Sequence, residues 1–465
     1  MIFKQKNSGL FCISFDSVAM SGIIVELLKV AKVFYDNDYL IYLDLGYEIK
    51  ADKNNFFIPY SEEKKIIPHW INLVKTIDHP FYDYSEDLIL AIFQSAINES
   101  KISSEHENLI ENYSNYISER LIILWNELNI KYILVENGTL PENIIFTKAI
   151  YKAIEIYGKQ NNFKKYVIWR NHDLMWSSEA NIYKYGKFPY QNTPKFSTSR
   201  FISNVVLHDA DYNEALNWCP SASISVLRNN FQVKKIVNYQ KTRDGFRKLY
   251  NIPESAFLLA RSTRIIPQKR IDRDIYLVNF LYQIAKSQKN DINIYLAIAG
   301  NPHENFDEYL RLKKLISEFK LEDYVFFTGN LKPIELQNDD ENNLESLILA
   351  SDLCSFMTSY HYDSFGNPIA EAISLGKPYI ATSYKQYKHV YGDLGYQGLI
   401  FPISEDVDEQ VNEHFAKKVY ELLLNQDDRD AIVAKNTHIM KSYTQNNSNL
   451  IKALNKLLDS SLINE

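Results

Sequence analysis

Apolar positions along the chain fall into two kinds of run. Short stretches of consecutive apolar residues alternate with longer ones in which apolar positions recur every three or four residues. The first kind reads as strands buried on both faces, and the second as one face of a helix. In the first half the strand-like runs are Gly9–Phe15, Tyr39–Leu45, Lys131–Val135, Tyr166–Trp169 and Ser203–Leu207. Helical spacing covers Gly22–Val33, His106–Leu128 and Glu142–Ile156. The stretch Ala51–Tyr84 keeps neither period and is expected to hold insertions. A further run, Ser223–Phe231, ends in Arg228-Asn229-Asn230, and a second series then begins. Its strands are Ala256–Ser262, Ile292–Ala299, Tyr324–Thr328, Leu353–Thr358, Pro378–Thr382 and Leu399–Ile403. Its helices are Asp272–Lys286, Glu308–Phe319, Asn343–Ala350, Pro368–Leu375 and Glu409–Leu424. The tail, Asp428–Asp459, carries helical spacing without strands.

Strand alternating with helix predicts parallel sheets covered by helices, the α/β class. Two such series predict two doubly wound domains, 1–231 and 232–430, followed by a helical tail, 431–465. A cleft is expected between the domains. In open sheets of this kind ligands bind beyond the carboxyl ends of the strands, so chemistry belongs in the loops that follow them. No repeat of solenoid length and no low-complexity segment interrupts this organisation.

Charge narrows the function classes. Lys and Arg number 51 against 58 Asp and Glu, a net charge of −7, and neither half is basic. That excludes a broad surface for nucleic acid or anionic lipid. Cys12, Cys219 and Cys354 are scattered and odd in number, which fits a reducing cytoplasm better than a disulfide framework or a metal site. Asp16 breaks the first apolar run, so that run reads as a strand and not as a signal peptide. No uncharged run approaches the length of a membrane span. A soluble protein follows, with peripheral membrane contact still compatible. Glycine is scarce, 14 of 465 residues against roughly 7% in average usage, which makes the remaining positions informative.

Four segments carry candidate chemistry. In Asp363-Ser-Phe-Gly-Asn-Pro-Ile-Ala-Glu371, Pro368 suits a first helical position, with Gly366 and Asn367 turning the chain ahead of it. The helix start offers unpaired N–H groups to a phosphate. Glu371, expected in the first turn, and Asp363, eight residues earlier, offer carboxylates to sugar or ribose hydroxyls. Taken alone, the same pattern describes a helix cap with solvent-facing acids. In Arg264-Ile-Ile-Pro-Gln-Lys269, a guanidinium fork and a movable ammonium share one loop and can jointly neutralise a diphosphate. Arg261 and Arg270 beside them are read as solvated. In Trp169-Arg-Asn-His172-Asp173, a histidine at a strand end can hold a hydroxyl or carry a proton, with Asp173 as its orienting partner or part of an acceptor site. Ser21 and Gly22, after Ala19-Met20, start the first helix and offer backbone N–H groups there.

Lesser features read as structural. Gly300 and Gly329 suit tight turns; Glu136-Asn-Gly138-Thr139 borders an acceptor site at most. The tyrosines of Tyr183–Tyr190 are stacking or packing residues. Asp209-Ala-Asp211 lies away from the diphosphate loop, and no cofactor or essential metal is expected.

Asp363 to Glu371, followed by Ala372-Ile-Ser-Leu-Gly376-Lys-Pro378, resembles the E-x7-E segment of family 4 glycosyltransferases, with Asp in place of the first Glu. Arg264 and Lys269 resemble the family's R-x4-K diphosphate pair. His172 is similar to its N-terminal cleft histidine, and Ser21-Gly22 to its glycine-rich loop, here with one glycine where two are common. The resemblance is close over Ala256–Thr382 and looser over 1–231. It implies a GT-B fold of two Rossmann-like domains with the C-terminal helices of 431–465 packing back on the first. It also implies a retaining transfer of sugar from a UDP- or GDP-sugar to a hydroxyl acceptor. Glu371 would then hold the ribose, Asp363 and His172 the sugar, and Gly366, Asn367 and Pro368 the sugar and phosphate. Asn330 and Leu331 would meet the base. The alternatives are a GT-B-like epimerase or phosphorylase, or a nucleotide-sugar-binding protein without turnover.

Overall fold

The runs Gly9–Phe15, Lys131–Val135, Tyr166–Trp169, Ser203–Leu207, Leu353–Thr358 and Pro378–Thr382 are buried at almost every position, as strands inside a sheet are, whereas Tyr324–Thr328 and Leu399–Ile403 are partly open. A computed structural model describes residues 8–15, 21–45, 67–77, 84–176, 185–290, 292–334, 342–443 and 447–459. Most of Ala51–Tyr84 lies outside the described residues, as do Ala19, Met20 and Tyr183. The chain forms two units: 1–230 together with 446–465, and 231–445.

Among the described residues the first unit holds a sheet of seven strands. These are β1 (Gly9–Ser14), β2 (Leu40–Asp44), β3 (Ile71–Leu73), β4 (Ile130–Glu136), β5 (Val167–Asn171), β6 (Ile202–Val206) and β7 (Ile224–Val226). They pair in parallel in the order β3-β2-β1-β4-β5-β6-β7. The second unit holds β8 (Phe257–Ser262), β9 (Ile294–Ala299), β10 (Val325–Gly329), β11 (Leu353–Phe356), β12 (Tyr379–Thr382) and β13 (Leu399–Phe401). Their order is β10-β9-β8-β11-β12-β13, again parallel. Both sheets start at a central strand, wind outward one way, then return and wind the other. That is the Rossmann-like doubly wound topology, duplicated as in the GT-B fold.

Helix starts follow local chemistry. Ser21 Oγ accepts from Ile24 N at the head of helix Gly22–Tyr35, and Asn343, Asn305 and Asn412 do the same for three helices of the second unit. Helix Ile271–Ser287 lays Ile271, Ile275, Val278 and Leu281 against Leu259, Leu296 and Leu353. Each such side chain contributes about 1.5–3 kcal/mol by leaving water.

Among the elements that escaped the sequence pattern are β3 and the helices Glu86–Asn98, Asp209–Trp218 and Tyr239–Leu249. β3 lies within Ala51–Tyr84, the stretch that keeps no period. Helix Glu86–Asn98 had its signals in place, Ser85 as cap with Glu86 and Asp87 in the first turn. The tail also departs from expectation. The sequence assigns all of 431–465 to the first domain, but helix Gln426–Tyr443 belongs to the second unit. Arg429 Nη1 donates to Leu422 O at 2.9 Å, and Asn436 exchanges two 2.7 Å bonds with the backbone of Gln397. In the first unit, Ser203 Oγ donates to Leu457 O of helix Asn447–Leu457 at 2.7 Å. Among the described residues no helix is long and apolar enough to cross a membrane.

Candidate active site

The order of the second sheet reverses between β8 and β11, so the loops after these neighbouring strands leave in opposite directions and open a crevice. The segments singled out by sequence, Arg264–Lys269 and Asp363–Glu371, follow these two strands. They are stitched together. Ser359 N donates to Gln268 O at 3.1 Å, and the buried Arg273 reaches Thr358 O at 2.7 Å. Lys269 Nζ lies 2.7 Å from Asp363 Oδ1, while Thr358 Oγ1 donates to Asp363 Oδ2, also at 2.7 Å.

Lys269 closes the short turn Pro267–Lys269 and is buried, with its ammonium 4.7 Å from the Tyr362 ring centre. Burial pulls its pKa below the ordinary lysine value, against the pull of Asp363 in the other direction. Arg264 is more open. Its guanidinium pairs with Glu304 from the loop after β9, and Nη1 donates to the Tyr362 hydroxyl at 3.1 Å. Gly300 has a sharper reason than a tight turn: a Cβ there would lie 2.2 Å from Thr263 O, so only glycine lets the Arg264 loop pass.

Arg261 and Arg270 are not solvated as the sequence suggested. Arg261 is fully buried, stacked on Phe356, close to Asp274, and donates to Lys269 O at 2.5 Å. Arg270 takes a left-handed conformation and pairs with Asp272 and Asp408.

Helix Asn367–Ser374 starts directly after Gly366, whose φ is +80°. The glycine is required from behind: a Cβ would meet the Tyr384 hydroxyl at 2.5 Å. Tyr384 donates to Phe365 O at 2.6 Å and Tyr391 to Gly366 O at 2.9 Å. Burial raises both phenols well above their usual range, so both remain donors. The carbonyls of the turn are thus held from within, and the helix start carries Asn367 and Pro368. Glu371 is the fifth residue of the helix, one position further along than the sequence implied, since the helix begins at Asn367. It is buried and shares a face with Asn367, four residues earlier. Asn330 and Leu331 follow β10, two strands from β8.

His172, Ser21 and Gly22 belong to the first unit. Ser21 serves as a helix cap, with Gly22 the first helical residue. His172 is buried, its Nε2 2.7 Å from Glu136 Oε2. Asp173 is not its partner; Asp173 accepts from Asn137 Nδ2 at 3.0 Å, while Asn137 Oδ1 takes the His172 N–H at 2.7 Å. Glu136 Oε1 also lies 3.0 Å from Arg170 Nη1. The register explains the cluster. Glu136 ends β4 directly opposite Arg170 on β5, and His172 follows two residues later on the same face. The signal was present in sequence as a carboxylate at one strand end and Arg-x-His at the next.

Residues 243–438 match the family described as glycosyl transferases group 1. No curated protein matches the chain. Among solved structures, a glycosyltransferase from Rickettsia africae aligns with TM-score 0.58 and 14% identity over 98% of this chain and 100% of its own. Anabaena HepE in complex with UDP-glucose aligns with TM-score 0.59 and 14% identity, covering 96% and 99%. Sucrose-phosphate synthase from Thermosynechococcus elongatus gives 0.60 and 12%, covering 96% and 99%. At these identities the likeness is one of fold. With the family match falling on the loops that carry Arg264, Lys269, Asp363 and Glu371, the second unit contains a group 1 glycosyltransferase domain, and the protein is a transferase of glycosyl groups.

Proposed function

We propose that the protein is a retaining glycosyltransferase that moves a sugar from a nucleoside-diphosphate sugar to an acceptor hydroxyl. The observation that carries this reading is the Lys269–Asp363 contact, which joins the cationic loop after β8 to the acidic loop and helix start after β11. Negative charge grows on a diphosphate as the glycosidic bond breaks, and a buried ammonium beside a guanidinium stabilises it more in a dry site than in water. Arg264 and Lys269 have that role. Glu371, on the inner face of the helix, takes the ribose hydroxyls. Both oxygens of Asp363 are engaged by Lys269 and Thr358, so it orients the ammonium as well as offering its remaining lone pairs to the sugar. His172 holds a sugar hydroxyl. Retention rests on the resemblance in the Asp363–Pro378 segment and implies acceptor attack on the face the nucleotide leaves. The UDP-glucose in Anabaena HepE makes UDP-sugars the first donors to try.

The test is a panel of UDP-, GDP- and ADP-sugars, scored by thermal shift and by nucleotide release with glycan, lipid-linked and small-molecule acceptors. Binding and release with at least one donor are expected, with NMR of the product showing the donor's anomeric configuration. No binding to any nucleotide sugar would sink the reading, and an inverted product would remove the retaining part alone.

A further inference from the structure

The geometry points to Glu136 as the residue that decides which nitrogen of His172 carries the proton, leaving Nδ1 to accept a hydrogen bond from a ligand hydroxyl. The ligand part rests on the role given to His172 above; the proton assignment does not. The Glu136 carboxylate is fully buried and split between two neighbours, Oε1 facing Arg170 and Oε2 facing His172 Nε2. A guanidinium can only donate, and an ionised carboxylate can only accept. The 2.7 Å contact with Oε2 therefore requires a proton on Nε2 of the ring. A neutral ring protonated there leaves Nδ1 as its acceptor. Among the described residues Nδ1 makes no hydrogen bond, while the His172 backbone N–H is fixed by Asn137.

Arg170 is part of the device. Its guanidinium also reaches Glu26 O and Asn229 Oδ1, each at 3.4 Å, so it is anchored independently of the carboxylate. Glu136 and Arg170 are positioning residues, and His172 is the group that meets the ligand. An isostere inverts the arrangement. In Glu136→Gln, Arg170 still demands an acceptor, so the carboxamide turns its oxygen to Arg170 and its NH2 to His172. The ring must then accept at Nε2 and carry its proton on Nδ1. The atom offered to a ligand hydroxyl changes from acceptor to donor without change of shape.

The test uses the full chain with 15N-labelled histidine, recorded above the range in which histidine protonates and at the pH of activity, with the His172 signals assigned by their loss in His172→Gln. The proposal expects a single ring proton, on Nε2. A proton on Nδ1, or on both nitrogens at the pH of activity, overturns it. In Glu136→Gln the proton is expected to move to Nδ1. Release of UDP from UDP-glucose should fall by about tenfold, while UDP affinity changes by less than about twofold. An unchanged tautomer in a folded variant, or unchanged release, overturns the assignment; if the variant does not fold, the spectrum of the unsubstituted protein still decides. If no nucleotide sugar is bound or cleaved at all, the functional reading fails while the proton assignment stands or falls on the spectrum.

Discussion

At the scale of single residues, the proposed site turns on one buried ammonium, that of Lys269. Replacing Lys269 with Met keeps most of the volume and removes the charge, and should weaken UDP binding by about tenfold or more, measured by calorimetry. Burial lowers the Lys269 pKa while Asp363 raises it, so the charge is lost as pH rises through a value below the ordinary lysine range. UDP affinity should therefore decline with rising pH, and in Asp363→Asn the decline should begin at lower pH. An unshifted profile in that variant would mean the two side chains are not coupled. Stability has the opposite slope: the unfolded chain keeps the lysine proton to higher pH, so the folded state gains as pH rises between the folded and unfolded values. The segments Arg264–Lys269 and Asp363–Glu371 stood out in sequence because of their spacing, and the structure brings Lys269 against Asp363. Arg261 did not stand out, because nothing in a one-dimensional pattern separates a buried, stacked arginine from a solvated one. The pairing of Glu136 with Arg170 and His172 was missed for a related reason. Its meaning comes from the register of β4 against β5, which decides that Glu136 faces Arg170.

At the scale of elements, the start of helix Asn367–Ser374 is set from behind by tyrosines. Phe365 O takes its bond from Tyr384, whereas Gly366 O receives both Tyr391 and Ile369 N. Tyr384→Phe should thus cost more than Tyr391→Phe, about 1–3 kcal/mol against a smaller loss, read from denaturant midpoints. Gly366→Ala adds left-handed strain of about 1–2 kcal/mol and drives a Cβ into the Tyr384 hydroxyl. Combined with Tyr384→Phe, which removes that oxygen, it should cost less than the two single changes together; strict additivity would show that the contact does not matter. The abundance of tyrosine gave no hint of this role. Strands were legible where apolar residues run together, as in β4 and β5, and most long helices by their spacing, although the helix Glu86–Asn98 was not. β3 was illegible because it lies inside the stretch Ala51–Tyr84, which keeps no period.

At the scale of the molecule, the division near Phe231 was visible as a restart of the strand series, but the division of the tail was not. Both tail helices have helical spacing, and only the partners of Arg429 and Asn436 assign the earlier one to the second unit. Ending the chain after Gln445 should remove helix Asn447–Leu457, with the buried Leu450, Leu454 and Leu457, and leave Ser203 without its carbonyl. Calorimetry should then show one transition moved to lower temperature and the other nearly unchanged. A common shift of both would mean the units do not melt separately.

The same arrangement has a consequence for synthesis. The second unit is one continuous segment, 231–445, set into a first unit whose residues come from both sides of it. A ribosome that has made all seven strands of the first sheet has not yet made the helix that accepts the Ser203 bond. The whole second unit is translated before that helix emerges. The half of the protein that begins first is completed last, and until then it presents the apolar surface that Leu450, Leu454 and Leu457 later cover.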